Sequence, residues 1–173
     1  VSTAAVAATH TPTAISRRGH VRARSTISPA MSASVVSAMK SGSFSADVDR
    51  SGVDSNFDLF VMPVAGGTPR NLTPDNKGDD RSPLYSPDGR WLAFVRQKMP
   101  RFYAERELLV LHDRAADTSR VLTEDWDRDA RGLVWLPDSK ALYGAIEDAG
   151  PTRLYRFDVR GGKPAAVTQS ASV

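Results

Sequence analysis

Few side chains in this sequence are equipped for covalent chemistry. Cysteine is absent, which excludes disulfides, thiolate metal sites and a cysteine nucleophile. A serine hydrolase needs its nucleophile on a strained Gly-x-Ser-x-Gly elbow, with a base and an orienting acid. That pentapeptide does not occur; Gly42-Ser43-Phe44-Ser45-Ala46 lacks the closing glycine. The histidines are His10, His20 and His112, the last expected in an exposed turn after a strand. The reading is therefore a chain with no catalytic residues and no cofactor. Metal chemistry has one candidate. Asp47, Asp49, Ser51 and Asp58, with Ser55 between them and Gly52 at the sharp turn, follow the oxygen-ligand spacing of a calcium loop. Its last position holds aspartate in place of the bidentate glutamate, and the same residues suit a solvated loop between strands. Asp125, Asp127 and Asp129 alternate in a similar way, but Ala130 stands where the glycine should be.

Charge narrows the partners. The chain is basic overall, +3 with a pI near 9.4, yet residues 1–46 hold five Lys/Arg and no acid, so residues 47–173 carry −2. The basic character belongs to the N-terminal stretch, and the remainder mixes both signs without a basic, aromatic-studded face, so no nucleic-acid partner is expected. No apolar run approaches the roughly 20 residues of a membrane span, so no membrane partner is expected either. Residues 1–26 are low in large apolar side chains and rich in Ser, Thr and Ala, and read as a disordered leader. Its composition fits the end of a cleaved signal peptide or a transit peptide.

These side chains must be positioned by strands. From Asn56 onward short apolar runs alternate with Gly, Pro, Asp and Asn. A unit recurs: Asp58-Leu59-Phe60-Val61-Met62, a Gly66-Gly67 turn, then Arg70-Asn71-Leu72-Thr73. It returns as Glu107-Leu108-Leu109-Val110-Leu111 leading to Arg120-Val121-Leu122-Thr123, and as Arg153-Leu154-Tyr155-Arg156-Phe157 leading to Ala165-Ala166-Val167-Thr168. Between the units lie Ser82-Pro83-Leu84-Tyr85-Ser86-Pro87-Asp88-Gly89-Arg90 and Leu133-Val134-Trp135-Leu136-Pro137-Asp138-Ser139-Lys140, each a strand and a Pro-Asp turn. Successive units start 49 and 46 residues apart, the period of a four-stranded propeller blade. The expected fold is all-β, a partial β-propeller over residues 27–173 in units of about 27–73, 82–123 and 132–168. The first blade is expected to be incomplete, because Ser28-Pro29-Ala30-Met31-Ser32 echoes the later strands without the Pro-Asp-Gly turn. Closed propellers have four to eight blades, so further blades are expected from outside the chain.

The Ser-Pro-Asp-Gly turn, residues 58–73 and residues 122–143 together resemble the propeller of dipeptidyl and acylaminoacyl peptidases of the prolyl oligopeptidase family. Residues 100–108 and 122–128 are similar to the bacterial dipeptidyl-peptidase branch, while TolB-like periplasmic propellers share the turn motif. The resemblance implies a segment that screens peptide substrates by size for a C-terminal α/β-hydrolase domain. It also implies an amine-binding glutamate on a propeller insertion, for which Glu105 and Glu107 are the candidates. A carboxylate suits an ammonium group through charge-assisted hydrogen bonds. The related enzymes suggest a periplasmic location, with the cytoplasm as the alternative. A TolB-like interaction propeller and a calcium-dependent lectin-like propeller are the rival readings.

Overall fold

In a computed structural model the described residues are 41–49 and 56–168. They form three antiparallel sheets and no helix. The first contains β1 (Ser41–Asp47), β2 (Phe57–Pro63) and β3 (Arg70–Asn71). The second contains β4 (Asp80–Tyr85), β5 (Trp91–Arg96), β6 (Leu108–Asp113) and β7 (Thr118–Val121). The third contains β8 (Val134–Trp135), β9 (Ala141–Glu147), β10 (Thr152–Asp158) and β11 (Ala165–Ala166). Within each sheet the strands follow chain order, so every sheet is a meander. The all-β, partial-propeller expectation holds, with three strands in the first sheet among the described residues. The Ser28–Ser32 echo, the leader and Ser51 lie outside the described residues.

The repeated turn motif closes the hairpins at one end of the second and third sheets. Gly89 N–H donates to the Ser86 carbonyl at 2.9 Å, and Ser139 N–H donates to that of Leu136 at 3.0 Å. The aspartate of each motif accepts the backbone N–H two residues on, Arg90 to Asp88 and Lys140 to Asp138, both at 3.0 Å. The closing residue sits at positive φ, +71° for Gly89 and +59° for Ser139. Glycine adopts that conformation freely, whereas serine does so at a cost. Ser139 Oγ also accepts the Asp88 N–H at 3.0 Å, tying the third sheet to the second.

The recurring threonine has a structural task that its place at the end of each sequence unit did not reveal. Thr73 Oγ1 accepts the Leu59 N–H at 2.9 Å, Thr123 Oγ1 that of Leu109 at 2.8 Å, and Thr168 Oγ1 that of Leu154 at 3.0 Å. The neighbouring backbone closes the same loop, with Leu72, Leu122 and Val167 N–H donating to the Leu59, Leu109 and Leu154 carbonyls. Each outer strand is thereby extended beyond its two to four ladder residues.

Cores lie between sheets. Ala93, Val95, Leu109 and Leu111 of the second sheet pack on Trp126, Trp135, Leu142, Ile146 and Phe157, all buried. On the opposite face Phe94 and Val110 pack under Leu59 of the first sheet. Polar contacts register these layers. Trp135 Nε1 donates to the Leu84 carbonyl at 3.0 Å, and Arg114 reaches Ser41 Oγ at 2.7 Å. Asp80, fully buried, is held by both ends of the Arg96 guanidinium at 2.7 and 3.1 Å. Burial pushes its carboxyl pKa up and Arg96 opposes that shift.

His112 is not in an exposed turn as the sequence suggested. It occupies β6 between Leu92 and Ser119, 5% exposed, because the strand continues two residues past the apolar run, to Asp113. Its Nδ1 lies 3.1 Å from Ser119 Oγ and its Nε2 3.4 Å from Asp117, which in turn pairs with Arg70 of the first sheet. Burial lowers the His112 pKa, Asp117 pulls it back up, and Arg70 pushes it down again.

Two outcomes follow. Thr123→Val leaves the buried Leu109 N–H without an acceptor and should cost about 1–3 kcal/mol; Thr168→Val, at an exposed site, should cost less, as read from urea unfolding midpoints of the two variants. Because folding weakens the affinity of His112 for a proton, its contribution is full above the ordinary histidine value of 6.5 and is lost as pH falls below it. The urea midpoint should drop between about pH 7.5 and 5, and His112→Gln should flatten that slope.

Candidate functional site

In a meander the connections alternate between the two ends of the sheet. The end opposite the Pro-Asp turns carries residues 97–107 between β5 and β6, residues 122–133 between the second and third sheets, and the short turn 148–151. Together these frame a cleft of about 770 Å³ whose walls include Ala104, Arg106, Asp127, Arg128, Arg131 and Glu147.

The wall is a mesh of paired charges. Behind the lining Arg128, the buried Asp148 accepts from Arg128 at 2.8 Å and from the Tyr155 hydroxyl at 2.8 Å, and lies 3.0 Å from Arg153. The Arg128 hydrogen bonds hold its carboxyl below the usual range, and Asp148 in turn raises the Tyr155 phenol. Arg106 lines the cleft and donates to the carbonyls of Trp126 and Glu124, while Lys98 pairs with Glu124 at 2.6 Å. Nothing in the spacing of Arg128, Asp148, Arg153 and Tyr155 announced this cluster, since its members come from two separate connections and a strand.

Glu105 and Glu107 both belong to this end but are employed differently. Glu107 lies 3.0 Å from Arg131, its own N–H donates to Asp129 at 2.9 Å, and its carbonyl accepts from Ala130. Glu105 sits in an irregular turn in which its N–H bonds the Phe102 carbonyl, and its carboxylate accepts the Met99 N–H at 2.5 Å. Gln97 donates to the Glu105 carbonyl at 2.5 Å, and Asn76 donates to that of Gln97 at 2.9 Å, so the base of the loop is fastened to the second sheet. Its tip is apolar and exposed, with Met99 at 54%, Phe102 at 49% and Tyr103 at 72%.

Of the candidate calcium ligands, Ser51 lies outside the described residues, and Asp47 and Asp58 are not brought together. In the β1–β2 ladder Asp58 stands opposite Ala46, and Asp47 opposite Phe57. Directly opposed residues share a face and adjacent ones alternate, so Asp47 and Asp58 project to opposite sides. Asp47 accepts the N–H groups of Asp49 and Asn56 at 3.0 and 3.2 Å, and Asp58 accepts from Asn71 at 2.5 Å. Among the described residues no three His, Asp or Glu side chains converge as metal ligands.

At the opposite end a second cleft of about 720 Å³ lies between the first two sheets, lined by Arg70, Asp88, Arg90, His112 and Arg114. Arg70 and Arg90 are paired with Asp117 and Asp113, and Arg114 stacks over Tyr85 with its centre 4.8 Å from the ring. Its cations are thus largely spent on holding the sheets together. Among the described residues no helix is long and apolar enough to cross a membrane.

No protein-family model matches the chain. It is 32% identical over 115 residues to dipeptidyl-peptidase 5 of Aspergillus fumigatus, a match covering 64% of the chain and 15% of that protein. It is 24% identical over 117 residues to dipeptidyl-peptidase 5 of Porphyromonas gingivalis, covering 68% of the chain and 17% of that protein. The chain thus spans only a small part of the relatives it matches. Among solved structures, TolB from Acinetobacter baumannii superposes with a TM-score of 0.51 at 18% identity, over 68% of the chain and 28% of TolB. At that identity the likeness concerns the fold. The chain is a run of TolB-type β-propeller blades, homologous to a small part of the dipeptidyl-peptidase 5 proteins.

Proposed function

We propose that this chain is a non-catalytic propeller segment of a serine oligopeptidase, which admits and orients peptide substrate for an α/β-hydrolase domain outside it. The observation that supports this reading is the similarity to dipeptidyl-peptidase 5 proteins across the blades themselves. The sequence also lacks a nucleophile elbow. Within the segment, residues 97–107 are the substrate-facing element: a fastened loop with an exposed apolar tip beside the larger cleft. Of the two candidate amine anchors the geometry favours Glu105. Glu107 is paired with Arg131, whereas the Glu105 carboxylate accepts the Met99 backbone N–H beside the exposed tip of the loop, where a carboxylate suits an incoming ammonium.

The rival is an interaction propeller of the TolB kind, favoured by the structural likeness. The two differ in ligand. A gating segment takes a short peptide with a free amino terminus, and an interaction propeller takes a protein. The likeness to TolB supports a periplasmic location as the proposal, the fungal relatives point away from it, and the cytoplasm is the alternative.

Chromogenic dipeptidyl substrates incubated with the chain alone should be cleaved no faster than in buffer. In nuclear magnetic resonance titrations, a dipeptide amide with a free amine should shift resonances of residues 97–107, and its N-acetyl form should not. Glu105→Gln should weaken that binding about tenfold, roughly 1.4 kcal/mol, and Glu107→Gln much less. Equal binding of the acetylated peptide would remove the amine-anchor reading, and cleavage by the chain alone would remove the gating one.

A further inference from the structure

The three guanidinium groups that line the larger cleft are not alike. Arg128 is paired with Asp127 at 2.5 Å and with Asp148 at 2.8 Å. Arg131 is paired with Glu107 at 3.0 Å and with Asp129 at 3.2 Å. Arg106 has no carboxylate partner among the described residues. It donates instead to two backbone carbonyls, those of Trp126 and Glu124. Its neighbours along the chain are both acids, but each is engaged elsewhere, Glu105 with the Met99 N–H and Glu107 with Arg131.

The two carbonyls that hold Arg106 are themselves held. Trp126 is 8% exposed, its ring packs edge-on against Phe157 at 5.3 Å, and its N–H donates to the Thr123 carbonyl at 3.3 Å. The side chain of Glu124 is tied to Lys98. Arg106 therefore crosses from residues 97–107 to residues 122–133 onto fixed acceptors. A guanidinium has five N–H donors, and two of them are used here. Carbonyl acceptors satisfy hydrogen bonds without cancelling charge, so a half-buried cation is left without a counter-charge beside a cleft of about 770 Å³. Partial desolvation of an unpaired charge is costly, and an anion bound at Arg106 offsets that cost. The planar fork of the guanidinium matches a carboxylate in shape. Asp127, Asp129 and Glu147 also line the cleft, and their like charge disfavours a doubly charged phosphate there.

We infer that the larger cleft contains a carboxylate subsite with Arg106 as its anchor, so that a ligand of this segment carries a carboxylate, either a peptide's C-terminus or an acidic side chain. The subsite lies on the cleft wall next to the loop that carries Glu105. The inference goes beyond the gating proposal and does not rest on it.

The test uses the full chain and ligands without a free amine, observed at the arginine Nε–H signals by nuclear magnetic resonance. N-acetyl-Ala-Ala as the free acid presents a terminal carboxylate, and N-acetyl-Ala-Glu amide presents a side-chain one. At least one of them should shift the Arg106 signal, and which of them does so names the source of the carboxylate. N-acetyl-Ala-Ala amide and inorganic phosphate should leave that signal in place. Arg106→Gln should weaken binding of the acid about tenfold, as expected for losing a charged hydrogen-bonded pair, with unchanged circular dichroism. Arg90→Gln, in the opposite cleft, should leave it unchanged. Should Arg106→Gln fail to fold, the comparison of acid with amide on the unaltered chain still decides. No shift with either carboxylate, an equal shift with the amide or with phosphate, or full binding by a folded Arg106→Gln chain would overturn the inference. Because the ligands are acetylated, none of these results bears on the amine anchor.

Discussion

Everything in this molecule leans on the apolar contact between successive sheets. A strand alternates its side chains, so a sheet buried on both sides must supply two apolar faces, and each face needs a neighbour. Leu59 and Leu109 show the result, each sealed at 0% exposure by the next sheet. Burying one such side chain contributes about 1.5–3 kcal/mol, whereas an exposed pair such as Arg70–Asp117 contributes about 0–1. Packing therefore decides that the sheets stack, and the ion pairs at their rims adjust how.

Polar groups act on register more than on net stability. The threonine hydroxyls satisfy the Leu59, Leu109 and Leu154 N–H groups where the short outer strands run out of ladder partners. An unsatisfied buried donor costs more than a made hydrogen bond returns, so these hydroxyls remove misaligned alternatives. Trp135 combines both roles, filling the core with its ring and bonding the Leu84 carbonyl with its indole N–H. The buried Asp80–Arg96 pair is of the same kind: its desolvation offsets its attraction, while breaking it would strand a charge.

The ends of the blades are free to differ because the ladders beneath them are not. Residues 97–107 form a longer connection than the other turns within a sheet, yet Gln97 and Asn76 bind its base to the second sheet. Gly78 permits that closeness, since a β-carbon there would lie 2.3 Å from the Gln97 carbonyl oxygen. A rigid base below an exposed Met99–Phe102–Tyr103 tip is the arrangement expected of a recognition loop on a scaffold.

The repeat itself was legible in the residues. Leu59, Leu109 and Leu154, the Pro-Asp turns and the unit threonines carry period-two and blade-length signals that depend only on local chain geometry. The absence of cysteine and of a nucleophile elbow likewise needed no coordinates. Tertiary structure decided what local pattern cannot express. Whether Asp47 and Asp58 face one another depends on strand register, which is set by pairing across the hairpin and puts them on opposite sides. Whether His112 is wet or dry depends on where its hairpin turns, and the pairing with Ser119 keeps it inside. The Asp148 cluster and the neutralisation of Glu107 by Arg131 join residues from separate connections, brought together only when one sheet stacks on the next. Sequence spacing encodes neighbours along a strand, and contacts between blades follow from packing.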